Sequence, residues 1–422
     1  MITWSRMYCL RPQDIGNGKV MLKGNKMLEI GIVGCGLQAA TIAGYLGIYG
    51  DTYEICAIMD INFDFAKERL NEKKVNLNSK CRLYDNIEEF ISNEKTLNGI
   101  IIGTPCHFHT DIACKLESLG VPLYLEKPVA ITLEQATQLY TTFVNSKTPV
   151  EVSLPMRLCP LTCEVKNIID SGIIGQVAQI VGYEDTSGDI YFSTWFRDFD
   201  KTGGMFMQKA VHDIDYQLFL AGSHPREICA MRAQMVFGGN KPFDLSCDQC
   251  SEQNSCLESP YHYFHKRGIG NSLKEAEQYR YGRRMCRFSK DITIDDINSC
   301  IIELENGAQI SHSENFLVKN DACRRGARIY GHKGTIEMDF NGHIKIMSHF
   351  RKKTDEINLS QTQLSHYGGD KELVFDFLKT MKTGERARTD LITGNGFYST
   401  ITCLYARESA DARQFIEIGF KS

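Results

Sequence analysis

The chain has 422 residues, enough for two or three domains at roughly 100–200 residues each. With 42% hydrophobic and 24% charged residues it reads as an ordinary water-soluble globular protein that can bury a large core. A net charge of −4 without a basic stripe argues against nucleic-acid and anionic-membrane partners, and no apolar run has the length of a membrane span.

Residues 1–26 carry Arg6, Arg11, Lys19, Lys23 and Lys26 without an apolar stretch of secretory type. They read as a loose N-terminal extension, and the protein as cytoplasmic. Regular patterning starts at Met27. Up to Val150, short apolar strands (Leu28–Val33, Glu54–Met59, Ile100–Gly103, Leu123–Leu125) alternate with helical segments (Leu37–Leu46, Phe65–Leu70, His109–Leu119, Leu133–Phe143). That alternation predicts an α/β fold with a doubly wound parallel sheet covered on both faces. From 151 to 422 the strands lengthen and alternate in polarity: Val177–Tyr183, Ile297–Leu304, Ala308–Phe316. Asn306-Gly307 predicts a tight hairpin, and a second hairpin is expected around Gly331–Gly334. The second domain is therefore expected to be α/β with an open, mostly antiparallel sheet, closed by helices over Lys371–Met381 and Ser399–Phe415.

The first strand runs into Gly34-Cys-Gly36-Leu37-Gln38-Ala39, a G-x-G-x-x-A turn opening a helix. Gly34 permits the turn, Gly36 lets a pyrophosphate approach the backbone, and Ala39 allows close helix packing. The second strand ends at Asp60, about 20–25 residues past the glycines, where an acceptor for a ribose diol belongs. No arginine follows it directly, which favours NAD over NADP as the cofactor.

Two further segments end strands of the same sheet: Thr104-Pro105-Cys106-His107-Phe108-His109 and Glu126-Lys127-Pro128. Farther on, a helix carries Lys209, His212, Asp213 and Asp215. With these five elements in order, from Met27 to the C-terminus, the chain resembles the Gfo/Idh/MocA oxidoreductases. The resemblance implies an N-terminal Rossmann domain, a C-terminal domain with a large open sheet, homo-oligomers, and sugar-like or cyclitol-like substrates. It places Thr104, Pro105, His109, Glu126 and Lys127 at the cofactor. Oxidising a secondary alcohol removes a hydride and a hydroxyl proton together, so a proton acceptor is required. A lysine in a desolvated cleft can serve, which singles out Lys127. Lys209 and His212, spaced three apart, are expected to share a helix face with Asp215 and to contribute acid/base and substrate contacts. Many family dehydrogenases have an aspartate four residues before the histidine; Gln208 stands there instead. Arg197 and Asp370 are further substrate-side candidates.

Sixteen cysteines without an export signal read as thiols or metal ligands rather than a disulfide frame. Cys247, Cys250 and Cys256, with Cys286, form an insertion near residues 245–290 with spacing suited to a structural zinc site; His262 or His265 are alternatives to Cys286. The leading functional expectation is an NAD(P)-dependent dehydrogenase. Two others stand beside it: a glycosidase or lyase that uses NAD transiently, and a non-catalytic nucleotide-binding protein.

Overall fold

The computed structural model describes residues 27–49, 53–259, 285–360 and 364–419. The expected extension over residues 1–26, and His262 and His265, lie outside the described residues.

Six strands form one sheet: β1 (Leu28–Val33), β2 (Tyr53–Met59), β3 (Leu77–Tyr84), β4 (Gly99–Ile102), β5 (Leu123–Leu125) and β6 (Val150–Val152). All its pairings are parallel and the order is β3-β2-β1-β4-β5-β6. β4, β5 and β6 are buried throughout and β1 nearly so, as helices cover both faces. The order reverses between β1 and β4. The carboxyl ends of these strands therefore open a crevice of the kind that binds ligands in such sheets.

The second sheet has nine strands: β7 (Val177–Asp185), β8 (Pro225–Ala233), β9 (Ile297–Leu304), β10 (Gln309–Asn315), β11 (Arg324–Gly331), β12 (Gly334–Asp339), β13 (His343–Ser348), β14 (Thr354–Asn358) and β15 (Ile416–Glu417). Its order is β14-β13-β12-β11-β7-β10-β9-β8-β15. The β7–β10 pairing is parallel and the rest are antiparallel, so the sheet is mixed. The hairpin at Asn306-Gly307 forms, with Gly307 at φ +84°.

Helices Val211–Ala221 and Tyr398–Ala412 lie on the second sheet. Val211, Ile214, Leu218, Ile401 and Leu404 join Ile180, Ile302, Ile310 and Ile329 in one core. Every residue of Val211–Leu220 is buried, so its polar side chains must find partners inside. The helix Gly369–Thr383 crosses back to the first sheet. Its Leu373, Val374, Phe377 and Leu378 pack in the core built by β1, β2 and the helix Leu37–Tyr45. A Cβ at Gly99 would lie 2.6 Å from Met381 Sδ, so any side chain there would push Met381 and Phe377 aside. This late segment thus completes the core of the 27–150 region, where sequence division had put it with residues 151–422.

Candidate active site

The carboxyl ends of β1, β2, β4 and β5 bring the predicted nucleotide residues to one edge. Gly34 has φ +78°, and a Cβ there would sit 2.5 Å from the Thr104 nitrogen. A Cβ on Gly103 would collide with that of Ala39 at 2.5 Å, so the helix rests directly on β4. Gly36 caps the helix Leu37–Tyr45 without a side-chain bond, and its first turn carries no acidic residue. The N–H groups and the positive end of the helix are thereby presented to an anion. Asp60 Oδ2 accepts the Cys35 N–H at 2.7 Å and Oδ1 accepts that of Asn62 at 2.8 Å, which holds the carboxylate against the glycine turn. Thr104 Oγ1 and Glu126 Oε1 are buried without partners at the same edge. A helix terminus bare of side chains, a carboxylate at the ribose position and unmatched polar atoms fit a dinucleotide.

Lys127 follows β5, joined to Pro128 by a cis bond. Its Nζ donates to the Gln208 carbonyl at 2.8 Å. Gln208 lies in a π-helical turn, Phe206–Ala210, leading into the helix Val211–Ala221. Burial pushes Lys127 down to about 8. Burial, followed by the Asp370 carboxylate, pushes Glu126 up to about 8. His212 is buried, its Nδ1 has no partner, and burial with the nearby Lys127 charge holds its basicity well below the ordinary range. The Gln208 amide turns away to the Thr202 carbonyl at 2.9 Å and the Cys106 sulfur at 3.4 Å, so it is no substitute for an aspartate orienting His212.

Beside them lies a cluster that the sequence did not announce. Lys209 Nζ is 2.8 Å from Glu184, and Arg325 grips Asp213 through two bonds of 2.9 and 2.6 Å while also reaching Glu184. Two cations and two carboxylates offset one another in a buried setting. Burial opposes the Lys209 charge, but Glu184 holds its ammonium above the usual range. Asp370 is buried at the start of the helix Gly369–Thr383. Its oxygens both lie 2.9 Å from His366 Nδ1, and Oδ2 accepts from Gln38 Nε2 at 3.4 Å. The His366 ring lies 5.2 Å from that of His212. His366 was missed because its loop has no periodicity. Its signal was the pair of glycines between it and Asp370.

Several expectations are corrected. Lys209, His212 and Asp215 do not form one substrate stripe. At about 100° per residue, each step of three turns the helix face by about 60°, and the π-helical turn adds to the divergence. Asp215 instead pairs with Arg157 (Nε to Oδ2, 2.7 Å), whose guanidinium also donates to the Gly394 carbonyl at 2.6 Å. Arg197 is buried and bound to Ser289, to Asp291 at 2.6 Å and to the Cys286 carbonyl at 3.1 Å. It clamps the cysteine-rich insertion, not a substrate. His109 is buried with its ring nitrogens 2.8 Å from the Pro128 carbonyl and 2.7 Å from the Thr104 carbonyl, and burial lowers it to about 4, so the neutral ring donates to one of the two and ties that cofactor-side loop to its helix. Cys247, Cys250, Cys256 and Cys286 line one cavity of about 20 Å³. Among the described residues, however, no three His, Cys, Asp or Glu side chains are set to hold a metal ion, so zinc is not supported. Ion pairs hold this region instead: Arg287 to Asp189 at 2.7 Å and to Glu258, and Lys319 to Glu258 at 2.6 Å.

Among the described residues no helix is long and apolar enough to cross a membrane. The fold is that of levoglucosan dehydrogenase in its NADH complex, with a TM-score of 0.72 and 15% identity over 93% of this chain and 100% of that one. In sequence, the chain is 26% identical over 302 residues to YteT of Bacillus subtilis (63% of this chain, 69% of YteT). It is 26% identical over 142 residues to the inositol 2-dehydrogenase of Rhizobium meliloti (33% of this chain, 41% of that protein). Family models match both halves: the NAD-binding Rossmann fold of the oxidoreductase family over residues 28–154, and the GFO/IDH/MocA C-terminal domain over residues 162–337. With the glycine turn, the Glu126-Lys127-Pro128 edge and the His212 helix set around one crevice, these matches make the chain a member of the Gfo/Idh/MocA family of oxidoreductases.

Proposed function

We propose that the protein is an NAD-dependent dehydrogenase acting on a secondary hydroxyl of a sugar-like or cyclitol-like substrate. The observation that carries this reading is the placement of Lys127, a half-buried amine lowered to about 8, at the carboxyl edge that also carries the glycine turn. A general base works best when its pKa lies near the working pH. A bound nicotinamide would accept the hydride. The chain supplies the rest. Gly34, Gly36, Leu37 and Gln38 receive the pyrophosphate; Asp60 takes the ribose hydroxyls and disfavours a 2′-phosphate; Thr104, Pro105 and Glu126 border the nicotinamide end. Lys127 takes the hydroxyl proton and His212 holds the substrate oxygen. Lys209 is already committed to Glu184, so it fixes the wall of the site and the local charge rather than moving a proton.

The inositol and levoglucosan dehydrogenases among the similar proteins support a polyol substrate. The test is a titration with NAD and NADP, followed by myo-inositol, scyllo-inositol and levoglucosan as substrates. Reduced nicotinamide appearing in step with product is the expected result. Loss of substrate without net reduced nicotinamide would replace this reading with the transient-oxidation chemistry. A second copy of the chain is the proposed partner of the open sheet face, where the paired positions Val181, Ser311, Ile301 and Cys229 share a side with exposed Met231. Light scattering tests it.

A further inference from the structure

Resting on that reading, we propose that His366, oriented by Asp370, is the proton exit of the site: it receives through His212 the proton that Lys127 takes from the substrate, and hands it to water.

Lys127 is half-buried and would be covered by bound substrate and dinucleotide, and after each oxidation it holds a proton that must leave before the next turnover. His212 is its neighbour. That imidazole is too enclosed to store charge, but a neutral imidazole can accept a proton on one nitrogen while releasing one from the other. Its buried Nδ1 has no partner. The next ring outward is His366, at 5.2 Å between centroids, and its side chain is 29% exposed while Asp370 is 0% exposed. The route thus runs from the half-buried Lys127 through the enclosed His212 to the solvent-touching His366.

Asp370 fixes the tautomer. Burial opposes its charge, but the His366 contacts hold this carboxyl below the usual range, so it is an anion that only accepts. His366 Nδ1 therefore carries the hydrogen and Nε2 is left to exchange protons. The backbone agrees with a built feature. His366 and Tyr367 are both left-handed, at φ +46° and +54°, a conformation that side-chain-bearing residues rarely adopt and that tends to persist at functional positions. The turn is pressed so tightly on its neighbour that a Cβ at Gly369 would lie 2.0 Å from the Pro155 carbonyl. The charged and titratable groups facing this imidazole are Asp370 on its own turn, His212 on the facing helix with Lys127 behind it, and Tyr45, which senses Asp370. Gln38 ties Asp370 to the dinucleotide turn, which places the exit beside the cofactor.

The step balances. The C–H electron pair leaves as hydride to the oxidised nicotinamide and the hydroxyl O–H bond breaks. The proton passes to Lys127, one proton moves through His212 to His366, and one is released. Hydroxyl plus oxidised dinucleotide gives carbonyl, reduced dinucleotide and one solvent proton.

The experiment compares wild type and His366→Gln in stopped flow, with NAD and the best of myo-inositol, scyllo-inositol and levoglucosan, following reduced nicotinamide and a pH-indicator dye together. In wild type the proton should appear with the hydride. In H366Q the first turnover should persist while proton release lags and steady-state kcat falls about a hundredfold, the lower end of the range for a proton-transfer group. Added imidazole should restore both, and NAD affinity should hold. Coincident proton and hydride signals in H366Q, or a loss that imidazole does not relieve, would overturn the proposal. Asp370→Asn gives a second check if H366Q does not fold, with the same lag expected as the tautomer is released. Wild type forming no reduced nicotinamide from any of the three substrates would instead sink the dehydrogenase reading, and the exit with it.

Discussion

The ammonium of Lys127 donates to the Gln208 carbonyl at 2.8 Å, joining the carboxyl edge of the parallel sheet to the helix that lies on the second sheet. The contact spans 81 residues of sequence and fixes the amine between the two layers. It also settles what Gln208 does: the backbone of this residue, in a π-helical turn, takes part in the site while its side chain faces elsewhere.

A pH profile follows from the desolvated amine. The Lys127 value of about 8 is below that of a free lysine, so the amine is neutral above that pH and charged below it. Hydroxyl oxidation should rise as pH climbs through about 8. Carbonyl reduction, which needs the ammonium, should fall over the same range. Lys127→Met should cut kcat by about 10²–10⁴ in both directions. NAD affinity, read by fluorescence titration, should change by less than about threefold, since the pyrophosphate is held elsewhere. A profile with no inflection near 8, or a K127M variant with wild-type kcat, would remove Lys127 from proton transfer.

The Glu126-Lys127-Pro128 edge was legible through the family resemblance. The glycine turn was legible because it answers to local rules: a tight turn at Gly34, a small residue at Ala39, a carboxylate at a strand end. The Asn306-Gly307 hairpin was legible for the same reason. β3 was not. Its sequence, LNSKCRLY, is mostly half-buried or exposed at the sheet edge, and only Tyr84 is buried, so no apolar run marks it. Nor was the return of Gly369–Thr383 to the first core, which rests on contacts with β1, β2 and the helix Leu37–Tyr45 far away in sequence. The Glu184, Lys209, Asp213 and Arg325 cluster comes from three separate stretches of chain. Its members are ordinary charged residues until β7, β11 and the π-helical turn bring them together.

Asp60 should decide cofactor choice. Its carboxylate is already bonded to the turn through Cys35 and Asn62, so removing it loosens the turn as well as the ribose contact. The informative quantity is therefore the ratio of NADP to NAD affinity, in which the shared loosening cancels. Asp60→Ser should raise that ratio about tenfold, equivalent to about 1.4 kcal/mol, because a repelling carboxylate beside the 2′-phosphate is gone. An unchanged ratio in D60S would place the adenosine ribose elsewhere.

Asp215 and Arg157 give the opposite kind of prediction. Both are buried, and Arg157 also ties down the Gly394 carbonyl, so Asp215→Asn leaves a guanidinium half-matched in the core. Breaking a buried pair on one side costs about 3–5 kcal/mol. Urea denaturation should show a loss of that order. The folded fraction should keep KM and NAD affinity near wild-type values, since no part of the pair is offered to the crevice. A D215N variant of normal stability with a raised KM would restore Asp215 to the substrate side.

Arg197 separates the cysteine-rich insertion from the chemistry. Its guanidinium binds Ser289, Asp291 and the carbonyls of Phe192 and Cys286, and thereby pins the segment that carries Cys286. Arg197→Met keeps an unbranched apolar stem but removes every donor, so the Phe192 carbonyl and the Asp291 carboxylate lose their Arg197 bonds, while Ser289 keeps its 2.8 Å bond to the Cys286 carbonyl. Each unmatched buried polar group costs about 1–3 kcal/mol, enough to release a surface segment without unfolding the domains. Limited proteolysis should then cut near Cys286 much faster than in wild type, while NAD affinity stays the same. If the variant instead resists proteolysis as wild type does and loses turnover, Arg197 acts on the substrate and the clamp is incidental.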